Sequence, residues 1–205
     1  MKVAAFDFDG TLTRGDTLGP FLREVAGTGA VLRAFAADAP RLLLAAAGAG
    51  SRDSAKERML RRLVAGRRHS DLAAAGRTYG EQVAASQMRP EMLARLRWHA
   101  AEGHEIVIVS ASLDVYIEPT AELLGVGTVL CSRMEVDGDG RVTGRLVGGN
   151  CRGPAKLARI REQFGAGGYE LWAYGDSAGD REMLAAADHP VRLERRTGRI
   201  RLPTP

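Results

Sequence analysis

The sequence predicts an α/β fold: a Rossmann-like open parallel sheet with an inserted all-helical segment and a small β-hairpin. Three observations support this prediction. The chain begins with a short apolar run, residues 2–6, that ends at the carboxylate of Asp7. A long Ala-, Leu- and Arg-rich stretch without strand patterns follows. From Pro90 onwards, strand patterns alternate with helical ones, as in folds whose parallel strands are joined by helical crossovers.

The stretch 16–86 predicts a run of helices between the first strand and the rest of the chain. Gly27 is a stop signal for the first of them, and Pro40 is expected to bend or break the second. We expect residues 1–15 and 87–205 to form the α/β core and residues 16–86 to form a helical cap. The helices expected in the cap span 17–25, 30–47, 54–65 and 70–87.

The second half of the chain supplies the remaining strands and the helices between them. An Asp-Gly-rich turn within residues 134–142 joins two short β runs and predicts a hairpin. Pro154 fits the first turn of a helix. The strands are expected over 105–109, 129–131, 170–174 and 190–193, and the helices over 91–102, 113–124, 154–164 and 179–186.

Composition excludes several functional classes. The net charge of +4 is too small to indicate nucleic-acid binding, and an aromatic content of 5% leaves few stacking platforms for bases. Cys131 and Cys151 form no metal-binding spacing and are expected to be buried free thiols. The most lipophilic stretch, residues 42–50, is shorter than the ~20 residues of a membrane span. We expect a cytoplasmic protein without membrane insertion.

Polar residues end three of the predicted strands: the pair Asp7 and Asp9, then Ser110, then Asp176. Ligands of open α/β sheets bind beyond the carboxyl ends of the strands, so these side chains are expected to meet there. Asp7 and Asp9 share a face on an extended segment and repel each other unless a cation neutralises them. Mg²⁺ is the natural partner of such a carboxylate pair.

This set suits the attack of a carboxylate on a phosphate ester. Asp7 can attack, and Asp9 can serve as general acid and then as general base. Lys156, near the start of a helix, can supply positive charge to Asp7 and the phosphate. Ser110 and the backbone N–H of Ala111 can donate hydrogen bonds to the phosphoryl group. Asp176 and Asp180 can complete a magnesium site.

Four segments carry a family resemblance: residues 7–13 (DFDGTLT), residues 109–112 (VSAS), Lys156 and residues 175–180 (GDSAGD). They resemble the four ordered motifs of the haloacid dehalogenase superfamily. The helical insertion directly after the first motif resembles its phosphoserine-phosphatase-like branch, subfamily IB. The resemblance covers nearly the whole chain.

The resemblance implies a division of roles within the site. The catalytic residues would be Asp7, Asp9 and Lys156. Mg²⁺ would be bound by Asp7, the backbone carbonyl of Asp9 and Asp176, with Asp180 in support. The helical insertion would close over the substrate. The phosphate-binding residues would be Gly10, Ser110, Ala111 and Lys156.

The resemblance also indicates where substrate choice lies. Asp16 matches the position of a Glu that binds the substrate amine in phosphoserine phosphatases, although a helix cap is an equal alternative. Arg58, Arg61 and Arg62 are candidates for the cap arginine that binds the substrate carboxylate, with a solvated helix surface as the alternative. Residue 179 is Gly where those enzymes often carry Asn.

The expected function is therefore a Mg²⁺-dependent phosphomonoesterase acting on a small, phosphoserine-like metabolite through an aspartyl-phosphate on Asp7. A phosphotransferase, or a phosphatase for a different, lipid-derived phosphate, would use the same residues. A remote alternative is a serine esterase, because residues 175–179 also match G-x-S-x-G with Ser177 as nucleophile. Only the adjacent Asp188 and His189 remain to complete its triad. The oligomeric state and the role of residues 195–205 stay open.

Overall fold

The computed structural model describes residues 1–46 and 52–193, and the side chains of 1–37 and 55–193. These residues form a six-stranded sheet in the order β4-β3-β2-β1-β5-β6, in which every neighbouring pair except β3–β4 is parallel. The strands are β1 (Lys2–Phe6), β2 (Glu105–Leu113), β3 (Thr128–Val136), β4 (Val142–Val147), β5 (Glu170–Gly175) and β6 (His189–Arg192).

Helices surround this sheet in the order that the sequence predicts. The helices are α1 (Leu18–Ala26), α2 (Thr28–Ala46), α3 (Arg52–Leu63), α4 (His69–Ser86), α5 (Pro90–Ala101), α6 (Asp114–Leu123), α7 (Pro154–Phe164) and α8 (Arg181–Ala185). The open α/β fold with inserted helices and a hairpin is confirmed. None of the described helices combines the length and the apolar character needed to cross a bilayer.

The central strand β1 shows why the sheet has two cores. Its alternate residues Val3 and Ala5 face one layer, and Ala4 and Phe6 face the other. Both faces are buried, so the strand is an apolar run instead of an alternating pattern. Helices α7 and α8 cover the first face through side chains such as Ile160. Helices α1, α4, α5 and α6 contribute to the larger second core.

Three elements differ from the sequence prediction. Helix α2 continues through Pro40, where a break was expected. Strand β2 runs on to Leu113, beyond the predicted end at residue 109. Strand β3 joins the predicted strand and the first arm of the hairpin, because Ser132 and Arg133 continue the extended chain between them. The hairpin turn itself is as predicted, with Asp137 Oδ1 accepting from the backbone N–H of Arg141 at 2.8 Å.

The two chain crossings that bound the helical insertion lie side by side. The backbone N–H of Arg14 donates to the Gln87 carbonyl at 2.9 Å, and the N–H of Arg89 donates to the Leu12 carbonyl at 2.8 Å. The division at residues 15 and 87 stays a prediction. Residues 195–205 and Ser51, a predicted helix start, lie outside the described residues.

Helix α4 of the insertion packs closely on α6. A Cβ built on Gly76 would lie 2.2 Å from the Val115 carbonyl oxygen, and one on Gly80 would lie 3.0 Å from the Tyr116 carbonyl oxygen. Only glycine permits this approach of the two backbones. Helix α4 is therefore held directly against the part of the chain that follows β2.

Candidate active site

Asp7 lies immediately beyond the end of β1 and is buried. Its backbone N–H donates to the Tyr174 carbonyl at 2.9 Å, which ties it to β5. Gly10, with φ of 82°, turns the chain back so that the Thr11 hydroxyl donates to Asp7 Oδ2 at 2.9 Å. This hydrogen bond leaves Asp7 Oδ1 facing α7.

Lys156 connects two of the predicted carboxylates. It lies in the first turn of α7, which Pro154 opens, and is 1% exposed. Its ammonium donates to Asp7 Oδ1 at 2.5 Å and to Asp180 Oδ1 at 2.5 Å. Asp180 Oδ2 in turn accepts from the backbone N–H and hydroxyl of Ser177, at 3.0 and 2.7 Å. Charge-assisted hydrogen bonds of this kind fix the position of both partners.

The ionisation of this cluster follows from burial and from its charges. Burial raises the pKa of Asp7 to about 7, the Lys156 ammonium opposes this rise, and the Asp180 carboxylate adds to it. Burial also opposes ionisation of Asp180, but Lys156 and the Ser177 hydrogen bonds outweigh it and lower its pKa. Burial disfavours the charged form of Lys156, yet Asp7 and Asp180 outweigh it and raise its pKa.

The cluster has the composition of a cation site. Asp7, Asp176 and Asp180 are all buried, and one carboxylate oxygen from each lies within 4.8 Å of the other two. Three carboxylates against the single charge of Lys156 leave two negative charges when all are ionised. Hard oxygen donors with this excess charge fit Mg²⁺. The structure thus brings Asp7, Asp176, Asp180 and Lys156 together at the sheet edge, whereas Ser110 and the Asp9 carboxylate are not part of this cluster.

Asp9 faces away from that cluster, toward the helical insertion. Its Oδ1 accepts from the backbone N–H and the hydroxyl of Thr17 at 2.9 and 2.6 Å, and its Oδ2 accepts from the Ser112 hydroxyl at 2.5 Å. Burial raises the pKa of Asp9, and the hydrogen bonds from Ser112 and Thr17 oppose the rise only in part. A carboxyl group with a raised pKa is suited to proton transfer.

The other predicted phosphate contacts have partners of their own. Ser110, buried within β2, accepts a hydrogen bond from the Ser112 N–H at 2.9 Å. The Gly10 N–H donates to Thr13 Oγ1 at 3.3 Å, a long contact that a stronger acceptor would outcompete. Ala111 lies between Ser110 and Ser112, and its carbonyl accepts from Lys56.

A cavity of about 340 Å³ opens beside Asp9, between the helical insertion and the sheet. Most of its wall is apolar, and its polar residues come from both the insertion and the core. The sequence did not identify its apolar residues. The lining residues are Asp9, Asp16, Leu18, Ala34, Phe35, Ala55, Lys56, Met59, Ala111, Ser112, Asn150 and Arg152.

Three polar residues of this wall were missed in the sequence: Lys56, Asn150 and Arg152. The buried Lys56 ammonium donates to the Ala111 carbonyl and, at 3.0 Å, to Asn150 Oδ1. Asn150 Oδ1 also accepts from the Ser132 hydroxyl at 2.8 Å. One signal was available, because the polar run from Asn150 to Gly153 stands directly before the helix of Lys156.

Of the predicted specificity residues, Asp16 reaches the cavity and the three arginines do not. Asp16 Oδ2 accepts from the Gly19 N–H at 2.9 Å, so this carboxylate caps α1 and also lines the cavity. Arg61 and Arg62 are exposed and Arg58 is half-buried, and none lines the cavity in the described part of the chain. The Arg62 guanidinium donates to the Ala34 carbonyl of the neighbouring helix α2 at 3.5 Å.

The serine-esterase alternative is contradicted. His189 pairs with Trp172 near the amino end of β5 and contacts Glu170 Oε1 at 2.7 Å. Ser177 follows the opposite, carboxyl end of β5, where its hydroxyl is bound to Asp180. A nucleophile and a base at opposite ends of one strand cannot form a catalytic pair.

Solved structures of other proteins superpose on this fold. A protein of unknown function from Bordetella pertussis Tohama I superposes with a TM-score of 0.76 at 26% identity, over 90% of this chain and 86% of that one. A substrate-bound phosphoserine phosphatase superposes with a TM-score of 0.62 at 20% identity, over 93% and 84% of the two chains. The second match concerns the fold alone.

Comparison of sequences gives relatives and a family. Protein CicA of Caulobacter vibrioides is 38% identical over 189 residues, 91% of this chain and 83% of that protein. The probable phosphatase Rv3661 of Mycobacterium tuberculosis is 39% identical over 94 residues, 44% of this chain and 32% of that protein. The model of the haloacid dehalogenase-like hydrolases matches residues 4–185. With a phosphoserine-phosphatase-like fold and a match over most of its length, this chain belongs to the haloacid dehalogenase-like hydrolase family.

Proposed function

We propose that this hydrolase is a Mg²⁺-dependent phosphomonoesterase that acts on a small phosphorylated metabolite through an aspartyl-phosphate on Asp7. One observation carries the proposal. Asp7 is buried against Lys156 and close to the carboxylates of Asp176 and Asp180, while Asp9, two residues further on, lines an open cavity. The phosphoryl group would lie at Asp7, and the leaving alcohol would occupy the cavity.

In the first step a carboxylate oxygen of Asp7 attacks phosphorus, and the bond from phosphorus to the leaving oxygen breaks. Asp9 donates its proton to that oxygen, which requires the protonated form that its raised pKa favours. Lys156 provides positive charge beside the nucleophile and the phosphoryl oxygens. Ser110 and the backbone N–H of Ala111 would donate hydrogen bonds to those oxygens.

In the second step the Asp9 carboxylate removes a proton from a water molecule, which attacks phosphorus and releases inorganic phosphate. The bond from phosphorus to Asp7 breaks, and the free carboxylate is restored. Asp9 thus ends the cycle in the protonated form in which it began. Its three hydrogen bonds from Thr17 and Ser112 hold the carboxyl group in place for both proton transfers.

The donor set at the sheet edge fits a divalent cation. Mg²⁺ bound by Asp7, the Asp9 backbone carbonyl and Asp176, with Asp180 in support, would neutralise charge on the phosphoryl oxygens. The three side-chain carboxylates are already gathered within 4.8 Å, so little rearrangement is needed to bind the ion.

We also propose that residues 16–86 act as the cap and residues 1–15 and 87–205 as the core. The adjacent crossings at Arg14 and Arg89 support this division, as do the cavity residues that α1, α2 and α3 contribute. Such a cap would shield the reaction from bulk water.

The nucleophile is tested with Asp7→Asn. An amide cannot attack phosphorus, so phosphate release from p-nitrophenyl phosphate should fall by at least about a thousandfold. Acid-quenched wild-type protein should carry one phosphoryl group by intact mass, and the variant none. The matched control is Asp139→Asn, an exposed residue of the hairpin turn, which should retain wild-type activity.

The same assay tests the metal and the acceptor. Chelation with EDTA should abolish phosphate release, and added Mg²⁺ should restore it. An Asp7→Asn protein with near-wild-type turnover would refute the mechanism, and activity insensitive to EDTA would refute the metal requirement. Added alcohols that reduce phosphate release in favour of new phosphate esters would instead identify a phosphotransferase.

A further inference from the structure

Arg152 is a cavity residue to which the proposed chemistry assigns no role. It belongs to the segment between β4 and α7, and its half-buried side chain lines the wall of the cavity. The segment is fixed at both sides of this residue. The Arg152 N–H donates to the Asn150 carbonyl at 2.8 Å, and the Gly153 N–H donates to the Gly179 carbonyl at 2.8 Å.

The Arg152 side chain occupies the space above Gly179. A Cβ built on Gly179 would lie 3.1 Å from Arg152 Cγ and 3.1 Å from its Nε, closer than ordinary van der Waals contact. Gly179 is not among the glycines with positive φ, so its backbone conformation does not require glycine. The missing side chain at residue 179 is what makes room for Arg152.

The cavity lies on the leaving-group side of the site. Among the described residues, its lining includes Asp9 and Ser112 but not Asp7, Lys156 or Asp176. Asp9 delivers its proton to the leaving oxygen in the proposed reaction. Ala111, whose N–H is proposed to contact the phosphoryl group, also lines the cavity, so that group would lie at the cavity edge nearest Asp7. A group that reaches further into the cavity therefore belongs to the leaving alcohol.

Two cations line the cavity, Lys56 from α3 of the insertion and Arg152 from the segment before α7. The Lys56 ammonium donates to the Ala111 carbonyl and to Asn150 Oδ1. The Arg152 guanidinium donates no hydrogen bond to a residue of the described chain, and Glu182 interacts with it only through space. Asp16, at the edge of α1, is the one lining carboxylate besides Asp9 in the described part of the cavity.

We propose that Arg152, together with Lys56, forms an anion subsite for the leaving group. The substrates are then phosphomonoesters of alcohols that combine an apolar body with an oxyanion, either a carboxylate or a second phosphate. The apolar body packs on side chains such as Phe35 and Met59, and the oxyanion receives the paired donors of the guanidinium. The inference rests on the proposed phosphomonoesterase function.

Matched substrates measure the subsite directly. Phenyl phosphate, 4-carboxyphenyl phosphate and 1,4-phenylene bisphosphate share one apolar body and differ in the second group. For each, kcat/KM is divided by the value for phenyl phosphate to give an anion preference. Arg152→Ala should lower this preference on the order of tenfold, because one charged hydrogen-bonding partner is lost. Comparison of 4-carboxyphenyl phosphate with 1,4-phenylene bisphosphate shows whether the subsite prefers a carboxylate or a second phosphate.

The geometry at residue 179 gives a second, independent variant. In Gly179→Ala the new Cβ requires the Arg152 side chain to shift by a few tenths of an ångström, so the anion preference should fall, but by less than in Arg152→Ala. The double variant Arg152→Ala/Gly179→Ala should match Arg152→Ala, because the shift matters only when the arginine is present. The control is Arg97→Ala, an exposed arginine on α5, which should keep the wild-type preference. Thermal unfolding checks that all variants are folded.

Inhibition by product alcohols extends the test to binding without turnover. In the wild type 4-hydroxybenzoate should inhibit more strongly than phenol, and Arg152→Ala should remove the difference. The proposal is overturned if the wild type shows no anion preference, or if Arg152→Ala leaves that preference unchanged. A wild type that hydrolyses none of the phosphate esters refutes the phosphomonoesterase function itself, which is a separate result.

Discussion

Lys156 gives the sharpest prediction because one buried cation holds two carboxylates. In Lys156→Met the side chain keeps its length and loses its charge, leaving Asp7 and Asp180 buried without their ammonium partner. Removal of one partner from a buried ion pair costs about 3–5 kcal/mol. We expect a loss of this size in the free energy of unfolding at pH 8 without divalent ions.

The loss should depend on pH in a defined direction. Without Lys156 the pKa of Asp7 rises above about 7, and that of Asp180 rises as well. The folded protein then binds more protons than the unfolded chain above pH ~4, so its stability falls as the pH rises through this window. The free energy of unfolding that Lys156→Met loses relative to wild type should be smaller at pH 5.5 than at pH 8.

Urea unfolding at the two pH values measures this loss of unfolding free energy. The control is Lys2→Met, which removes an exposed lysine. Turnover of p-nitrophenyl phosphate should fall by about 10²–10³-fold, the usual effect of losing a preorganised charge at the reacting group. Equal deficits at pH 5.5 and pH 8 would refute the electrostatic reasoning. Turnover within tenfold of wild type would refute the role of Lys156 at the phosphate.

Two further predictions concern stability. Gly76→Ala should lower the free energy of unfolding, measured in urea, by about 1–3 kcal/mol, because its Cβ would lie 2.2 Å from the Val115 carbonyl oxygen. The control Gly29→Ala, whose Cβ would meet only the Arg33 guanidinium at 3.4 Å, should leave the free energy of unfolding unchanged. Equal effects of the two substitutions would contradict the packing argument. Burial, and then the charges of Arg95 and His104, lower the pKa of His99 to about 3. The free energy of unfolding should therefore fall as the pH drops from ~6.5 toward 3, because the unfolded chain binds a proton that the folded chain does not. If His99→Gln kept the wild-type dependence of this free energy on pH, the reasoning would be contradicted.

The positions of the proposed catalytic groups were predictable because each is tied to a strand end or a helix start. A parallel sheet brings the carboxyl ends of its strands to one edge, so Asp7 and Asp176 meet there whatever lies between them in sequence. Pro154 marks the first turn of α7 and therefore places Lys156 at the same edge. Local signals and one topological rule were sufficient for these residues.

The cavity wall was not predictable because it depends on contacts between distant segments. Lys56 and Asn150 are 94 residues apart, and their contact depends on how α3 lies across the sheet. Arg58, Arg61 and Arg62, which the family resemblance suggested, lie on the same helix as Lys56 but do not line the cavity in the described part of the chain. At Pro40 the helix continues where a local rule predicted a break. At Asp16 one carboxylate caps α1 and also lines the cavity, so the structure does not separate the two alternatives.

Two close backbone contacts fix the helical segment over the sheet, and both lie away from the catalytic carboxylates. Gly76 seats α4 on α6, and a Cβ on Gly144, with φ of 79°, would lie 2.5 Å from Arg61 Cα on α3. Helix α3, against which Gly144 packs, contributes Ala55, Lys56 and Met59 to the cavity, whereas the proposed chemistry belongs to the strand ends. The two parts meet at Asp9, whose carboxylate is bound by Thr17 from the insertion and by Ser112 from the core. Substitutions of cavity side chains can therefore change which leaving alcohol is accepted, while Asp7, Lys156 and the carboxylates proposed to bind the metal keep their positions.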